Sequence, residues 1–129
     1  MKTNWKYAVP VDNKLIDNIE AFFNIALPSD YKTLLEEVNQ GKPSHDKFDA
    51  DNRKECVLDY MINLSETIIT SKSIKEKRLI PIARDPFGNL IAYKLTEGNR
   101  ILSIVFWDHE TNSEYHIAKS FSEFMGKLY

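Results

Sequence analysis

The residues of this chain best suited to chemistry lie close together near its C-terminal end. Asp108, His109 and Glu110 are consecutive, and His116 follows shortly afterwards. Imidazoles and carboxylates are groups that bind metals or transfer protons. A hairpin turn is predicted at the first three residues, however, and neighbouring residues of a strand point to opposite faces. A metal site needs three or four converging ligands, so we interpret this cluster as a turn with exposed rings.

The single cysteine, Cys56, is the other residue with reactive potential. A nucleophilic thiol needs a nearby histidine and a lowered pKa, whereas Cys56 begins an apolar strand face and is predicted to be a small buried side chain. No Gly-rich phosphate loop, serine nucleophile elbow or paired-cysteine motif occurs. The sequence therefore predicts no catalytic residues, no cofactor and no metal, and it favours a binding protein over an enzyme.

Charge and hydropathy limit the classes of partner. The chain has 17 basic and 19 acidic residues, a formal net charge of −2. Its densest basic stretch, residues 72–78, is short and interrupted by Glu76, so we interpret it as a solvated surface and expect no direct nucleic-acid binding. No apolar run is long enough to span a bilayer, and the opening ten residues lack the apolar segment of a signal peptide. A lone thiol favours a reducing compartment, so we expect a cytoplasmic protein without membrane contact.

Three short strands joined by two tight turns are predicted between Leu79 and Trp107. In the third strand, side-chain alternation divides the apolar residues between two faces. One face has Leu102, Ile104 and Phe106, and the other has Ile101, Val105 and Trp107. A strand that is apolar on both faces needs cover on both sides, and we expect amphipathic helices near the chain ends to supply it. The length of the chain predicts one domain, residues 1–129.

Three helices are predicted from apolar stripes at helical spacing. The first runs from Asp12 to Asn24, the second begins near Pro28 and ends at Gly41 in a positive-φ conformation, and the third follows a capping box formed by Ser120 and Glu123. The stripes are Leu15, Ile19, Phe22 and Phe23; Tyr31, Leu34, Leu35 and Val38; and Phe121, Phe124, Met125 and Leu128. The predicted fold is α+β, an antiparallel sheet of about 4–6 strands packed by N-terminal helices and a C-terminal helix.

The centre of the chain is less regular. Residues 40–53 are rich in turn formers and predict a long loop or an edge excursion. A strand is predicted over residues 56–64, and residues 65–77 fit either a short capped helix or an irregular connection. Another strand is expected from Glu114 to Ala118. Turns are predicted at residues 85–89, around Gly88, and at residues 96–100, around Gly98 and Asn99.

Several short motifs occur in a characteristic order. They are Leu27-Pro28-x-Asp30-Tyr31, Asn39-x-Gly41, Ile80-Pro81-Ile82-Ala83, Gly88-Asn89, Trp107-Asp108-His109 and Ala118-x-Ser120-Phe121-x-x-Phe124. In this order they resemble the SUKH superfamily, the Smi/Knr-like proteins. Gln40 stands where members commonly have a glycine, and residues 42–77 carry no matching motif.

The resemblance implies an α+β domain without a catalytic site of its own. Many bacterial members are immunity proteins that bind and neutralise a cognate polymorphic toxin, often a nuclease. The leading hypothesis is therefore immunity through protein–protein interaction. The alternative is a cytoplasmic scaffold or regulator of the same fold, and a small metal-dependent hydrolase using His109 or His116 is less favoured.

A protein partner should contact loops and polar strand faces, because the core uses most of the large apolar residues. Candidate contacts are six acidic residues and two aromatic residues that we expect to be exposed. They are Asp30, Glu36, Glu37, Asp85, Asp108, Glu110, Tyr93 and Tyr115. If the partner is the basic nuclease toxin that the resemblance implies, the acidic residues would speed encounter and the aromatic residues would supply hot spots.

Overall fold

A computed structural model describes residues 3–129 of the protein. Met1 and Lys2, which open the segment expected to contain no signal peptide, lie outside the described residues. The α-helices are α1 Asn13–Phe23, α2 Ser29–Val38, α3 Leu64–Ser73 and α4 Phe121–Lys127. The strands are β1 Trp5–Lys6, β2 Lys42–Pro43, β3 Lys47–Ala50, β4 Arg53–Val57, β5 Tyr60–Met61, β6 Leu79–Arg84, β7 Leu90–Leu95, β8 Ile101–Asp108 and β9 Ser113–Ala118. A 3₁₀ turn, Lys75–Lys77, follows α3.

The main sheet has five antiparallel strands in the order β5-β6-β7-β8-β9. Two smaller antiparallel pairs, β1–β2 and β3–β4, accompany it. The predicted three-stranded meander is confirmed as β6, β7 and β8, and the predicted α+β class is confirmed with it. Within residues 3–129, no helix combines the length and the apolar character needed to cross a membrane.

One face of the main sheet forms most of the core. Residues of α1, α2 and α4 pack there against β6 to β9, so the predicted packing by N-terminal and C-terminal helices is confirmed. The largest fully buried side chains include Ile19, Tyr31, Leu35, Phe48, Tyr93, Phe106, Phe121 and Phe124. Complete burial of one such side chain contributes about 1.5–3 kcal/mol. Aromatic rings interlock across the layers, and Phe48 meets Phe124 edge-to-face at 5.3 Å between centroids.

The opposite face of the sheet has no layer of terminal helices, so the expectation that helices cover both faces is wrong. Its smaller cluster has Leu79, Leu90, Ala92, Val105 and Trp107, with Ile74 packed against it. No described residue of α1, α2 or α4 belongs to this cluster. Lys94 of β7 donates to Glu114 of β9 at 2.9 Å, which places an ion pair across β8 on this side. The end of α3 and the 3₁₀ turn supply part of the cover, since Ile74 packs against the cluster and Lys94 also donates to the Lys77 carbonyl. Long polar side chains add to this cover.

A β-bulge changes the orientation of one apolar residue in β8. Lys94 pairs with Ser103 while Leu95 pairs with Ile101, so Leu102 is the extra residue. An extra residue reverses the alternation on one side of the bulge. Ile101 consequently packs against the main core, and Leu102 is 63% exposed. The predicted faces of Ile101 and Leu102 are therefore wrong, although those of Ile104 and Phe106 are right.

The predicted helix caps are confirmed at two positions. The Asp12 carboxylate accepts from the Lys14 amide at 2.9 Å, and the Ser120 hydroxyl accepts from the Glu123 amide at 3.1 Å. These contacts satisfy amide groups that have no partner within the first helical turn. The stripe of α1 is narrower than predicted, because Phe22 at its C-terminal end is 41% exposed.

The end of α2 differs from the prediction. Gln40, with φ 66°, takes the left-handed conformation that was expected at Gly41. Gly41 is needed for a different reason, since a Cβ atom there would lie 2.9 Å from the Val38 carbonyl oxygen. Likewise, Asn99 rather than Gly98 has positive φ in the β7–β8 turn, whereas Gly88 has the expected positive φ of 87°.

The centre of the chain is more regular than its composition suggests. Residues 40–53 contain β2 and β3, so the long loop is wrong. Both strands pair outside the main sheet, with β1 and β4. The strand predicted over residues 56–64 is wrong as one element, because it divides into the end of β4, β5 and the start of α3. The Asn63 side chain accepts from the Glu66 amide at 2.9 Å and starts α3, which confirms a short capped helix one residue earlier than expected.

Candidate functional site

Two of the expected contact residues are buried. Asp85 is 6% exposed, and its carboxylate accepts from the amides of Phe87 at 2.9 Å and Asn89 at 2.7 Å. This carboxylate therefore organises the β6–β7 turn. Tyr93 is 0% exposed and packs edge-to-face against Tyr31 with 5.7 Å between centroids. The expectation that Asp85 and Tyr93 are available at the surface is wrong, because one closes a turn and the other points into the core.

The three expected contacts on α2 lie in the helical layer. Asp30 is half-buried, and its carboxylate accepts from the amide of Ser122 at 3.0 Å and from its hydroxyl at 3.1 Å. Asp30 thus connects the start of α2 to the start of α4. Glu36 and Glu37 are exposed, and within residues 3–129 neither forms an ion pair.

The remaining three expected contacts, Asp108, Glu110 and Tyr115, come together beside the β3–β4 hairpin. Arg53, which opens β4, contacts Asp108 and Tyr115, and the Glu110 amide donates to Asp108 Oδ1 at 2.9 Å. Arg53 Nη1 donates to Asp108 Oδ2 at 2.7 Å. Its guanidinium lies over the Tyr115 ring at 5.3 Å and over the Phe106 ring at 4.8 Å. We call the surface formed by the β3–β4 hairpin, the turn at residues 108–112 and Tyr115 the hairpin surface.

The hairpin surface carries ionised carboxylates at neutral pH. The Arg53 guanidinium beside Asp108 holds the pKa of that carboxyl below its ordinary value. The pKa of Asp49 is lowered as well, because its carboxylate accepts from the Glu55 amide and from the Tyr129 hydroxyl. Asp51, at the hairpin tip, and Glu110 have exposed side chains. Lys47 and Lys54 are exposed on the same hairpin, so the surface presents carboxylates in excess of cations. These groups surround the half-buried Tyr115 ring, over which the Arg53 guanidinium lies.

His109 holds two turns together. Its Nε2 lies 3.1 Å from the Phe87 carbonyl oxygen, and its amide donates to Asn89 Oδ1 at 3.1 Å. Gly88 packs under the same ring, since a Cβ atom there would lie 3.1 Å from Nε2. His109 thereby attaches the β6–β7 turn to the β8–β9 turn, next to Asp108 and Glu110.

The enzyme-like cluster does not converge in the structure. His116 pairs with Val105 on the second face of the sheet, whereas His109 lies in the turn. Among the residues that the structure describes, no three or more His, Cys, Asp and Glu side chains come together as a metal site. Cys56 is half-buried with its Sγ near the Arg53 carbonyl oxygen, and burial raises the pKa of its thiol. A raised pKa disfavours the thiolate that a nucleophile requires.

The comparison with known families decides the identity of the fold. The family model SUKH_6, described as SMI1-KNR4 cell-wall, matches residues 13–125. The chain belongs to the SUKH superfamily. No curated protein matches the chain in a search of such proteins. The matched range runs from the first residue of α1 into α4 and includes the whole hairpin surface.

Arg53 and the hairpin are the parts of this SUKH chain that sequence reasoning missed. A signal was present in Lys47-Phe48-Asp49-Ala50, where apolar and polar residues alternate and every second side chain is buried. Alternation of this kind is typical of a half-buried strand. The turn formers on either side concealed it. Phe48 consequently was not recognised as a core residue, although its side chain is 0% exposed.

Proposed function

We propose that this SUKH chain is an immunity protein that binds and neutralises a cognate toxin, whose active domain is a basic nuclease. The observation that carries the proposal is the family match over residues 13–125. Many bacterial members of this superfamily act in this way. The hairpin surface supports the proposal, because it brings together Asp108, Glu110 and Tyr115. These are three of the residues that the sequence predicted as contacts.

The proposed mechanism is occlusion, without a chemical step. Exposed carboxylates such as Asp51 and Glu110 would attract the basic surface of a nuclease and cover the groove in which it holds nucleic acid. Tyr115 would provide contact area, because an aromatic ring that is already fixed loses little conformational freedom on binding. The Arg53–Asp108 pair orients this ring, so the surface needs little reorganisation before it meets a partner.

Two further aspects belong to the same proposal. We take residues 1–129 as one binding domain, which is supported by a core cluster that draws on residues from Ile19 to Phe124. We place the activity in the cytoplasm, where a single reduced cysteine is stable and where a nuclease would reach its substrate. The proposal includes no enzymatic activity, no cofactor and no contact between this chain and nucleic acid.

The genomic neighbour of the gene provides the test. The C-terminal domain encoded immediately upstream would be expressed from an inducible promoter, with and without this chain, and cell survival would be measured. We expect the chain to restore growth and to co-purify with that domain in a stable complex. Growth arrest that persists at full expression of the chain, with no complex recovered, would overturn the proposal and favour the scaffold or regulator hypothesis.

Charge-reversed variants locate the contact surface. Asp51→Lys combined with Glu110→Lys changes the hairpin surface, whereas Glu36→Lys combined with Glu37→Lys changes the exposed side of α2 by the same charge. We expect the first pair to slow association at low salt by about tenfold or more, because charge steering acts mainly on the association rate. The second pair should leave the rate close to that of the wild type. The opposite ranking would move the contact site to α2.

A further inference from the structure

The end of the main sheet opposite the hairpin surface is basic. Antiparallel pairing places the β6–β7 and β8–β9 turns at one end of the sheet, and the β7–β8 turn at the other. The start of β6 and the 3₁₀ turn lie at this second end, because Leu95 donates to the Arg78 carbonyl at 2.9 Å. Six cations occur here, in a chain of net charge −2. They are Lys72, Lys75, Lys77, Arg78, Lys94 and Arg100. Two carboxylates, Glu76 and Glu97, accompany them, and Lys94 is paired with Glu114 of β9.

An apolar groove of about 450 Å³ opens at this basic end. It lies between the C-terminal end of α1, the 3₁₀ turn and the β7–β8 turn. Phe22, Phe23 and Leu95 supply its apolar lining, and Lys75 and Arg78 line it with positive charge. The Phe22 ring meets Phe23 edge-to-face at 4.9 Å, and 41% of the residue is exposed. We call this feature the basic groove.

The cations of the basic groove have different roles. Arg78 forms part of the wall of the groove, since its guanidinium donates to the Thr96 carbonyl and to Asn99 Oδ1 at 2.6 Å. Lys72, Lys75 and Arg100 are exposed, and within residues 3–129 none of them forms an ion pair. Lysine is a flexible point charge that pairs readily with a carboxylate. Of these three, only Lys75 lines the basic groove, whereas Lys72 and Arg100 lie outside its lining. The basic groove thus combines an apolar lining with one exposed cation that forms no ion pair among the described residues.

We infer that the basic groove is a second docking site, which binds a protein segment carrying a large apolar side chain flanked by carboxylates. The apolar side chain would enter between Phe22 and Leu95, while the carboxylates would pair with Lys75 and its neighbours. A nucleic acid would carry phosphates past Glu76 at regular spacing, whereas a peptide can place its carboxylates beside Lys75 and keep them away from Glu76. Because the groove and the hairpin surface occupy opposite ends of the sheet, both can be occupied at once, and this inference does not depend on the immunity function.

A synthetic decapeptide with a phenylalanine–leucine pair between two pairs of glutamates is a suitable probe. Amide chemical shifts of the isotope-labelled protein would be followed during titration to about 1 mM peptide and above. We expect saturable shifts at residues 22–24, 75–78 and 95–99. Peptides with lysines in place of the glutamates, or alanines in place of the apolar pair, should bind more weakly. Absence of shifts with the acidic peptide, or equal binding of the lysine peptide, would overturn the inference.

Two protein variants and one control refine the test. Lys75→Glu combined with Arg100→Glu should weaken peptide binding by roughly 2- to 30-fold, the sum of two exposed ion pairs. Phe22→Ser removes an exposed ring and should abolish saturation while leaving the remaining amide spectrum folded. Lys47→Glu combined with Lys54→Glu makes the same charge change on the β3–β4 hairpin and should have no effect.

Tighter binding of a single-stranded RNA or of anionic lipid vesicles at the same amides would replace a protein partner with that ligand and overturn the inference.

Discussion

Arg53 and Asp108 form an ion pair with 2.7 Å between Nη1 and Oδ2, although 55 positions separate them in the chain. Arg53 opens the second strand of the β3–β4 hairpin, and Asp108 ends the longest strand of the main sheet. The pair therefore fastens the hairpin to the sheet. It also lies at the centre of the hairpin surface, so the residue that fastens this corner also places its guanidinium over the Tyr115 ring.

The ion pair predicts a dependence of stability on pH. The folded-state pKa of Asp108 is lowered from its ordinary value of 3.8, chiefly by the hydrogen bond from Arg53. A lowered pKa means that the pair stabilises the fold above the unfolded-state pKa and that this contribution disappears as pH falls through the folded-state pKa. Asp108→Asn should therefore be less stable than the wild type near neutral pH, and the difference should vanish in strong acid.

Urea titrations at about pH 7 and about pH 2.5 would measure this difference. Asparagine keeps the side-chain oxygen that accepts from the amides of Glu110 and Thr111, so the substitution removes the charge and the oxygen that accepts from Arg53. Glu110→Gln is the matched control, because it removes an exposed carboxylate of the same turn and leaves the Arg53–Asp108 pair in place. A difference for Asp108→Asn that is the same at both pH values would show that the pair does not contribute.

The bulge in β8 predicts opposite outcomes for residues four positions apart. Phe106 is 2% exposed, so Phe106→Ala should lower the free energy of unfolding by about 3–5 kcal/mol. Leu102 is 63% exposed, so Leu102→Ala should change it by less than about 0.5 kcal/mol. Trp107→Ala should cost about 3 kcal/mol or more, because Trp107 anchors the second face. Chemical denaturation of the three variants would test the assignment, and a large loss at Leu102 would show that the bulge is misplaced.

Two buried hydroxyl groups predict a stabilising substitution. Within the described residues, the hydroxyls of Tyr31 and Tyr93 have no hydrogen-bond partner, and burial raises the pKa of both side chains. An unpaired buried polar group costs about 1–3 kcal/mol. Tyr93→Phe should therefore raise the free energy of unfolding by about 1 kcal/mol. Tyr129→Phe is the control and should give no gain, because its hydroxyl donates to Asp49 at 2.7 Å. Destabilisation by Tyr93→Phe would indicate a bound partner for this hydroxyl.

Two glycines predict opposite effects of the same substitution. Gly88 has φ 87° and lies under His109, so Gly88→Ala should cost about 1–3 kcal/mol through backbone strain and ring displacement. Gly126 lies in α4, and nothing would meet a Cβ atom there within 4 Å. Gly126→Ala should stabilise the protein by about 0.5–1 kcal/mol, because alanine favours the helix. Thermal denaturation would compare them, and a neutral Gly88→Ala would contradict the turn geometry.

Local features of the fold were predictable from the sequence. Several of these features depend on residues that are close together in the sequence. They are the caps at Asp12 and Ser120, the turn at Gly88 and the meander between Leu79 and Trp107. Propensity and periodicity report on interactions at that range. The α+β class follows, because amphipathic helices and an antiparallel sheet must bury their apolar faces against each other.

The candidate site was only partly predictable. Asp108, Glu110 and Tyr115 come together as a surface, but Asp85 and Tyr93 do not belong to it. An aspartate in a turn has the same sequence context whether it closes the turn, as Asp85 does, or points to solvent. A tyrosine in a strand that is apolar on both faces gives no indication of how deeply it is buried.

The sequence by itself determined the family, the helices with their caps and the three strands at the centre of the sheet, because short-range patterns of residues specify them. The tertiary structure alone decided that Leu102 leaves the core, that the terminal helices do not cover the second face, and that Arg53 reaches Asp108. Each of these depends on the register in which distant segments meet. A register shift of one residue reverses the direction in which a side chain points, and no local sequence pattern shows where such a shift occurs.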